Sequence, residues 1–243
     1  MIISSKANPT VKKIASLADK KFRKQCGAFL VESVKAVNEC ISAGINIEQI
    51  VCTPEYENDY PQALIVTREL FERISTEKSP QGVLAAVTVP DLKVLPPQGS
   101  CLLLDRLQDP GNLGTIVRTA NAAGYTDIYL VNCTDAFSPK AVRASMGGLF
   151  YVSIHEGTYD EVFSALAGIP LICADMDGED VFTFRSPDKF CLCIGNEGNG
   201  VSAFVKDRAT HTVKIPMRET CESLNAAVSA AVAMYVLKNK TGE

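Results

Sequence analysis

The segment CLLLDRLQDPGNLGTIVRTANAAG, Cys101 to Gly124, passes from an apolar run through a glycine-bearing loop into a helical pattern. Cys101 to Leu104 reads as a buried strand, and Gly111 and Gly114 precede a helix. Arg118 falls four residues after Gly114, hence on the same helix face. The alternation repeats on the C-terminal side: Ile128 to Val131, Pro170 to Ala174, Phe190 to Ile194 and Thr212 to Ile215 read as strands separated by helical stretches. Two helix starts are legible, with Pro139 following Ser138 and with Thr158 three residues before Glu161 in a capping box. Strands that are apolar along their whole length suit a parallel sheet covered on both faces, so the class is α/β.

On the N-terminal side, VPDLKVLPPQGS (Val89 to Ser100) carries three prolines and a glycine that neither a helix nor a central strand accommodates, which marks a domain boundary. Before it the pattern predicts a helix from Pro9 to about Gln25, a short strand at Phe29 to Val31, and a helix from Ser33 that stops at Gly44. Strands are predicted at Ile47 to Cys52, Ala63 to Val66 and Val83 to Val89, with a helix at Arg68 to Ile74. This is a small α/β domain in its own right.

The chain has 243 residues, 47% of them hydrophobic and 21% charged, which excludes a disordered or fibrous protein. The longest apolar stretch, Leu224 to Leu237, is broken by Asn225 and Ser229 and falls short of the roughly 20 residues that span a bilayer. The opening MIISSKANPTVKK lacks the apolar core of a secretory signal, so a cytoplasmic location is expected. Nine cysteines without C-x-x-C spacing, mostly within apolar runs, read as buried reduced thiols. With two histidines in the chain, a metal site is not expected. Net charge is −4, but residues 1–40 hold eight basic against three acidic residues, a local net of +5. Lys12, Lys13, Lys20, Lys21, Arg23 and Lys24 form either an electrostatic footprint for nucleic-acid phosphate or a solvated helix face.

In open parallel sheets, ligands bind where loops leave the carboxyl ends of strands. Three such loops stand out. In the first, Asp105 to Gly124, the Arg118 guanidinium either holds a phosphate beside the glycines or is an ordinary surface arginine. The second, IGNEGNGVS (Ile194 to Ser202), places Gly195, Gly198 and Gly200 around the carboxylate of Glu197, so that backbone can approach a ligand closely. Its G-x-x-G-x-G spacing is neither the dinucleotide fingerprint nor the phosphate loop, so a nucleoside-like ligand fits better than a polyphosphate. The third, IPMRETCESLNAAVSAAVAMYVL (Ile215 to Leu237), sets Ser223 and Asn225 at the start of an alanine-rich helix, with Ser223 as cap and Asn225 in the first turn. Its small residues allow another backbone to pack closely, in a crowded topology or a subunit contact.

A nicotinamide-dependent oxidoreductase fails because the third fingerprint glycine is missing and the strand IYLV ends at Asn132 without a ribose-binding acid. A serine hydrolase fails because no G-x-S-x-G occurs.

Taken together and in order, the three loops resemble the three motifs of the SpoU (TrmH-like) class of RNA ribose 2′-O-methyltransferases, within the SPOUT superfamily. The likeness spans Cys101 to Leu237 and includes SPKAVRASMGGLF, Ser138 to Phe150. The N-terminal part resembles, more loosely, the ribosomal-protein-type RNA-binding domain that many members carry. The resemblance implies an RNA substrate-binding domain over residues 1–94 and a catalytic domain over 100–243 containing a deep trefoil knot. It also implies a homodimer and S-adenosylmethionine as methyl donor. Carried over residue by residue, cofactor contacts fall at Gly195, Asn196, Ile215, Met217, Leu224 and Asn225. The catalytic set is Asn112, Arg118, Glu197, Ser223 and Asn225, with Arg118 a phosphate clamp because guanidinium stays protonated. Asn112 and Ser223 orient the substrate, and Glu197 restrains Arg118 or a motif backbone. The third motif departs from the family at Glu219, Cys221, Ala226 and Ala227, where glycine, valine and Val-Ser are usual. An N-terminal RNA-binding domain favours ribosomal over transfer RNA as substrate; the alternatives are the same chemistry on transfer RNA, or a non-catalytic RNA-binding protein.

Overall fold

The computed structural model describes residues 2–239, and internal contacts divide the chain into two units. The first comprises residues up to Pro90 together with Asp135–Phe150; the second comprises Asp91–Thr134 and the chain from Tyr151 onward. The division at Pro90 falls inside the proline-rich linker, but the chain returns once to the first unit, which a division into residues 1–94 and 100–243 does not anticipate.

In the first unit, helices α1 (Pro9–Ser16), α2 (Lys20–Cys26), α3 (Val34–Ser42) and α4 (Arg68–Ile74) accompany strands β1 (Ala28–Glu32), β2 (Ile47–Cys52), β3 (Leu64–Ile65) and β4 (Val83–Thr88). The sheet order is β1-β4-β2-β3, with β4 antiparallel to both neighbours and β2 parallel to β3. Val11, Ile14, Leu17, Leu30, Val51, Phe71 and Leu84 form its core. The single helix expected from Pro9 to Gln25 is instead two. Asp19 accepts from the Lys21 amide at 2.8 Å and starts α2 as its N-cap, competing with helix continuation.

Arg23 completes that break. It is buried, and its Nη1 donates to the carbonyls of Leu17 and Ala18 at 2.8 Å each, satisfying groups orphaned at the end of α1. Its Nε and Nη2 donate to Asp135 Oδ2 at 3.0 and 2.6 Å. This corrects the reading of Arg23 as an RNA contact: five hydrogen-bonding directions in a planar fork suit a buried clamp, and this one is already committed. Lys12, Lys13, Lys20, Lys21 and Lys24 remain exposed, Lys13 paired with Glu48 at 2.7 Å. The returning segment carries α6 (Pro139–Ser145), capped by Ser138, and packs Phe137 against Phe29 with ring centroids 5.0 Å apart.

The second unit is a six-stranded sheet built from β5 (Cys101–Asp105), β6 (Asp127–Val131), β7 (Ser153–Glu156), β8 (Leu171–Asp180), β9 (Cys191–Ile194) and β10 (His211–Lys214). Every pairing is parallel, in the order β10-β8-β9-β5-β6-β7. Helices α5 (Pro110–Ala123), α7 (Tyr159–Ala165), α8 (Ala203–Lys206) and α9 (Ala226–Lys238) complete it, with α9 packed on α5. The capping box of Thr158 and Glu161 is formed. Strand β7 escapes sequence reading because it is four residues at the sheet edge with Ser153 and Glu156 exposed. Strand β8 runs past Ala174 through a polar half, where a Cβ on Gly178 would come within 2.5 Å of the Val213 amide nitrogen. Glycine there permits the close approach of β10 across an irregular register.

Residues 91–98 are strapped to this sheet. His155 Nδ1 lies 2.6 Å from the Lys93 carbonyl, Tyr129 donates to the Leu95 carbonyl at 2.6 Å, and Lys189 to that of Pro97 at 2.8 Å. All nine cysteines are free thiols. Cys101, Cys173, Cys191 and Cys193 share one buried cluster, and burial pushes the Cys191 and Cys193 thiols well up. No described helix is long and apolar enough to cross a membrane.

Candidate active site

Strands β5 and β9 are neighbours, so the loops leaving their carboxyl ends emerge side by side. In the β9 loop, a Cβ on Gly195 would lie 2.2 Å from both the Gly200 carbonyl carbon and the Val201 nitrogen, so only glycine fits. Asn196 locks the turn. Its backbone pairs both ways with Gly200, at 3.0 and 2.9 Å, and its Oδ1 accepts from the amides of Gly198 and Asn199 at 3.0 Å each. Its Nδ2 donates to the Arg106 carbonyl at 2.9 Å, tying this loop to the one after β5.

Glu197 makes the second tie. It accepts from the amides of Gln108 and Asp109 at 3.2 and 3.0 Å and from Asn112 Nδ2 at 3.1 Å. Burial works to raise its pKa. The Asp109 amide, its own backbone amide, the Asn112 side chain and the Gln108 amide outweigh that, and its carboxyl sits below the usual range. Of the two partners expected for Glu197, the motif backbone is the one observed.

The third tie is Asn225, whose Nδ2 donates to Asn112 Oδ1 at 2.9 Å. Its Oδ1 accepts from the amides of Ala227 and Val228 at 2.9 and 3.2 Å. Asn225, not Ser223, is therefore the N-cap of α9, a correction: the helix begins two residues later than a Ser223 cap requires. Glu197, Asn112 and Asn225 thus form one hydrogen-bonded chain across all three loops.

Gly111 and Gly114 also move. They lie inside α5, because the Asp109 cap and Pro110 at the first turn start the helix earlier than the glycines suggest. Arg118 is on the same helix face as Gly114, is exposed, and makes no hydrogen bond or ion pair among the described residues.

Beside these loops lies a cavity of about 490 Å³. Gly195, Asn196, Ile215, Met217 and Leu224 line it, as do Glu197 and Ser223; Asn112, Arg118 and Asn225 do not. A volume of this size, with apolar walls and a few convergent polar groups, fits a nucleoside-sized ligand. At Gly195 this wall rests on close backbone packing against Gly200 and Val201 that a Cβ would break.

Two groups at this end of the sheet carry no motif signal. Lys206 and Asp175 pair at 2.5 Å on the cavity wall, and the hydrogen bond that Lys206 donates to Asp175 raises the Lys206 pKa. The fully buried Asp105 accepts from Tyr159 OH at 2.5 Å and from the Ser202 amide at 2.6 Å, with Arg106 Nε 3.4 Å away. A carboxylate ending an apolar strand was the available clue to Asp105; Lys206 and Asp175 lie in unremarkable surroundings.

Residues 99–235 match the SpoU rRNA Methylase family, and residues 8–85 match the MRM3-like substrate binding domain. The chain is 30% identical over 97% of its length to the 23S rRNA (guanosine(2553)-2'-O)-methyltransferase of Bacillus subtilis (strain 168), covering 98% of that protein. It superposes on the AdoMet-bound rRNA methyltransferase from Sinorhizobium meliloti with a TM-score of 0.89 at 29% identity, over 98% of this chain and 97% of that one. The SpoU methyltransferase AviRb from Streptomyces viridochromogenes, in complex with AdoMet, gives 0.86 at 26% identity, over 96% and 97%. With more than half of its length matched by the family and its three loops tied to one another by hydrogen bonds, the chain belongs to the SpoU rRNA methylase family.

Proposed function

We propose that this protein transfers a methyl group from S-adenosylmethionine to a ribose 2′-hydroxyl of ribosomal RNA. The observation that carries the reading is the chain from Glu197 through Asn112 to Asn225, which holds three loops in one arrangement beside a nucleoside-sized cavity. Gly195, Asn196, Ile215, Met217 and Leu224 would hold the cofactor. When bound, it supplies an electrophilic methyl on a sulfonium centre.

The ribose 2′-oxygen forms the new bond to the methyl carbon as the sulfur–carbon bond breaks, the electron pair leaves with sulfur, and the hydroxyl proton passes to solvent. Holding oxygen and methyl in line supplies much of the rate. Arg118 clamps a phosphate next to the target ribose, and a free, permanently charged guanidinium suits that task better than proton abstraction. Ser223, at the cavity wall, and Asn112, fixed on both sides, orient the substrate.

The exposed Lys12, Lys13, Lys20, Lys21 and Lys24 contact phosphate from the first unit, which carries the substrate-binding match. The reading also includes a trefoil knot in the second unit, a homodimer and a cytoplasmic location. The dimer is supported by α9, which leaves Val228 and Tyr235 about half exposed.

The test is transfer of labelled methyl from S-adenosylmethionine to unmodified total RNA, separated into ribosomal and transfer fractions and followed by nucleoside mapping. A 2′-O-methyl nucleoside in ribosomal RNA is expected. Methyl in transfer RNA alone would overturn the substrate, and a base-methylated product would overturn the chemistry.

A further inference from the structure

Four side chains outside the three loops make a cluster that core packing only partly explains. Tyr159 and Phe163 pack against the buried core of the second unit. Phe204 does not: it is 38% exposed, on α8, with its ring 4.9 Å from Tyr159 and 6.0 Å from Phe163. Over Phe204 lies the Arg208 guanidinium, with Cζ 3.7 Å from the ring centroid and 5.4 Å from that of Phe163. Arg208 Nη1 donates to the Phe204 carbonyl at 2.9 Å, which fixes the plane of the fork. Arg208 is exposed and has no carboxylate partner among the described residues, in a protein of net charge −4. A cation immobilised on an aromatic ring and left without a counter-charge is preorganised for an anionic or π-faced partner.

The cluster is tied to the proposed reaction centre. Tyr159 OH bonds the same Asp105 carboxylate that holds the Ser202 amide, at the end of the glycine loop. Lys206, two residues from both Phe204 and Arg208, lines the cofactor cavity. Phe204 therefore shares α8 with a residue of the cavity wall.

We propose that Phe204 and Arg208 form a stacking platform for the base of an RNA nucleotide flanking the one that is methylated. The inference rests on the proposed activity and assigns part of its substrate path. Unstacked RNA bases are bound on aromatic rings and arginine planes, and the neighbouring phosphates neutralise the guanidinium. Such a stack is indifferent to base identity, so it positions the strand while other contacts select the site.

The experiment uses the full chain and in vitro-transcribed, unmodified 23S ribosomal RNA, measuring methyl transfer at saturating S-adenosylmethionine together with direct RNA binding. Phe204→Leu keeps the apolar bulk and removes the π face; Arg208→Met keeps the length and removes the planar cation. Each is expected to raise KM and Kd for RNA by about 5- to 100-fold, the range of a single base stack. The kcat, cofactor affinity and Tm are expected to be unchanged, and Phe204→Tyr to restore binding. Wild-type KM and Kd in both variants would overturn the platform while leaving the methyltransferase reading intact. A change in sedimentation with RNA binding untouched would assign the patch to a protein contact and likewise overturn it. Failure of the wild-type protein both to bind and to methylate this RNA would overturn the preceding reading as well.

Discussion

Replacing Arg23 by alanine should cost the first unit about 3 kcal/mol. The guanidinium is 5% exposed and makes four hydrogen bonds, two to Asp135 Oδ2 and one each to the carbonyls of Leu17 and Ala18. Removing one partner of a buried ion pair typically costs about 3–5 kcal/mol, because the remaining charge stays desolvated. Asp135 is 16% exposed, so water partly recovers its carboxylate, and the estimate falls at the lower end. For a chain of this size, with a urea m-value of about 3 kcal/mol/M, the unfolding midpoint should drop by about 1 M. The assay is urea unfolding followed by circular dichroism. Arg23→Met combined with Asp135→Leu should recover most of the loss, since apolar replacements of similar volume remove both charges. RNA affinity of the folded Arg23→Ala protein should match wild type, whereas charge reversal at Lys20, Lys21 and Lys24 should weaken binding and flatten its salt dependence. The reasoning is refuted if Arg23→Ala costs under about 1 kcal/mol, or if it loses RNA affinity as the lysine reversals do while its midpoint stays fixed.

Three further outcomes follow from the site. Glu197→Gln sets an amide donor against a backbone N–H and should lower kcat/KM by roughly 10-fold, the worth of about 1–2 kcal/mol of charge-assisted bonding. Because the folded carboxyl titrates below its ordinary 4.5, its contribution is complete above that pH and is lost as pH falls through the lowered value. Wild type and variant should therefore differ at neutral pH and converge in acid, as loop stability against pH will show. Gly195→Ala drives a methyl group to 2.2 Å from backbone atoms, so calorimetry should find cofactor affinity reduced at least 10-fold. Of nine thiols, Cys221 alone is exposed, and burial pushes the partly accessible Cys133 up to about 12; a thiol reagent should label Cys221 first and most others only on unfolding.

The strand and loop order of the second unit was legible because strands apolar on every residue report burial on both faces whatever their neighbours. The polar end of β8 and the edge strand β7 were not, since Ser153–Glu156 and the residues after Ala174 gain their strand conformation only from a neighbour's backbone. The three loops could be named as a set from residue types and spacing. Their connection could not: Asn112 and Asn225 are 113 positions apart, and nothing in either segment announces the bond between them.

By itself, then, the sequence determined the α/β class, the proline-rich boundary, the family, and which loops carry the polar residues, because these depend on local composition and order. Only the tertiary structure decided that Asn225 rather than Ser223 caps α9, that Asp135–Phe150 folds with the first unit, and that Arg23 is a buried clamp while its lysine neighbours stay in water. A basic residue reads the same in a sequence whether it faces solvent or a buried carboxylate. Which of the two it meets is settled by residues more than a hundred positions away, as Asp135 is for Arg23.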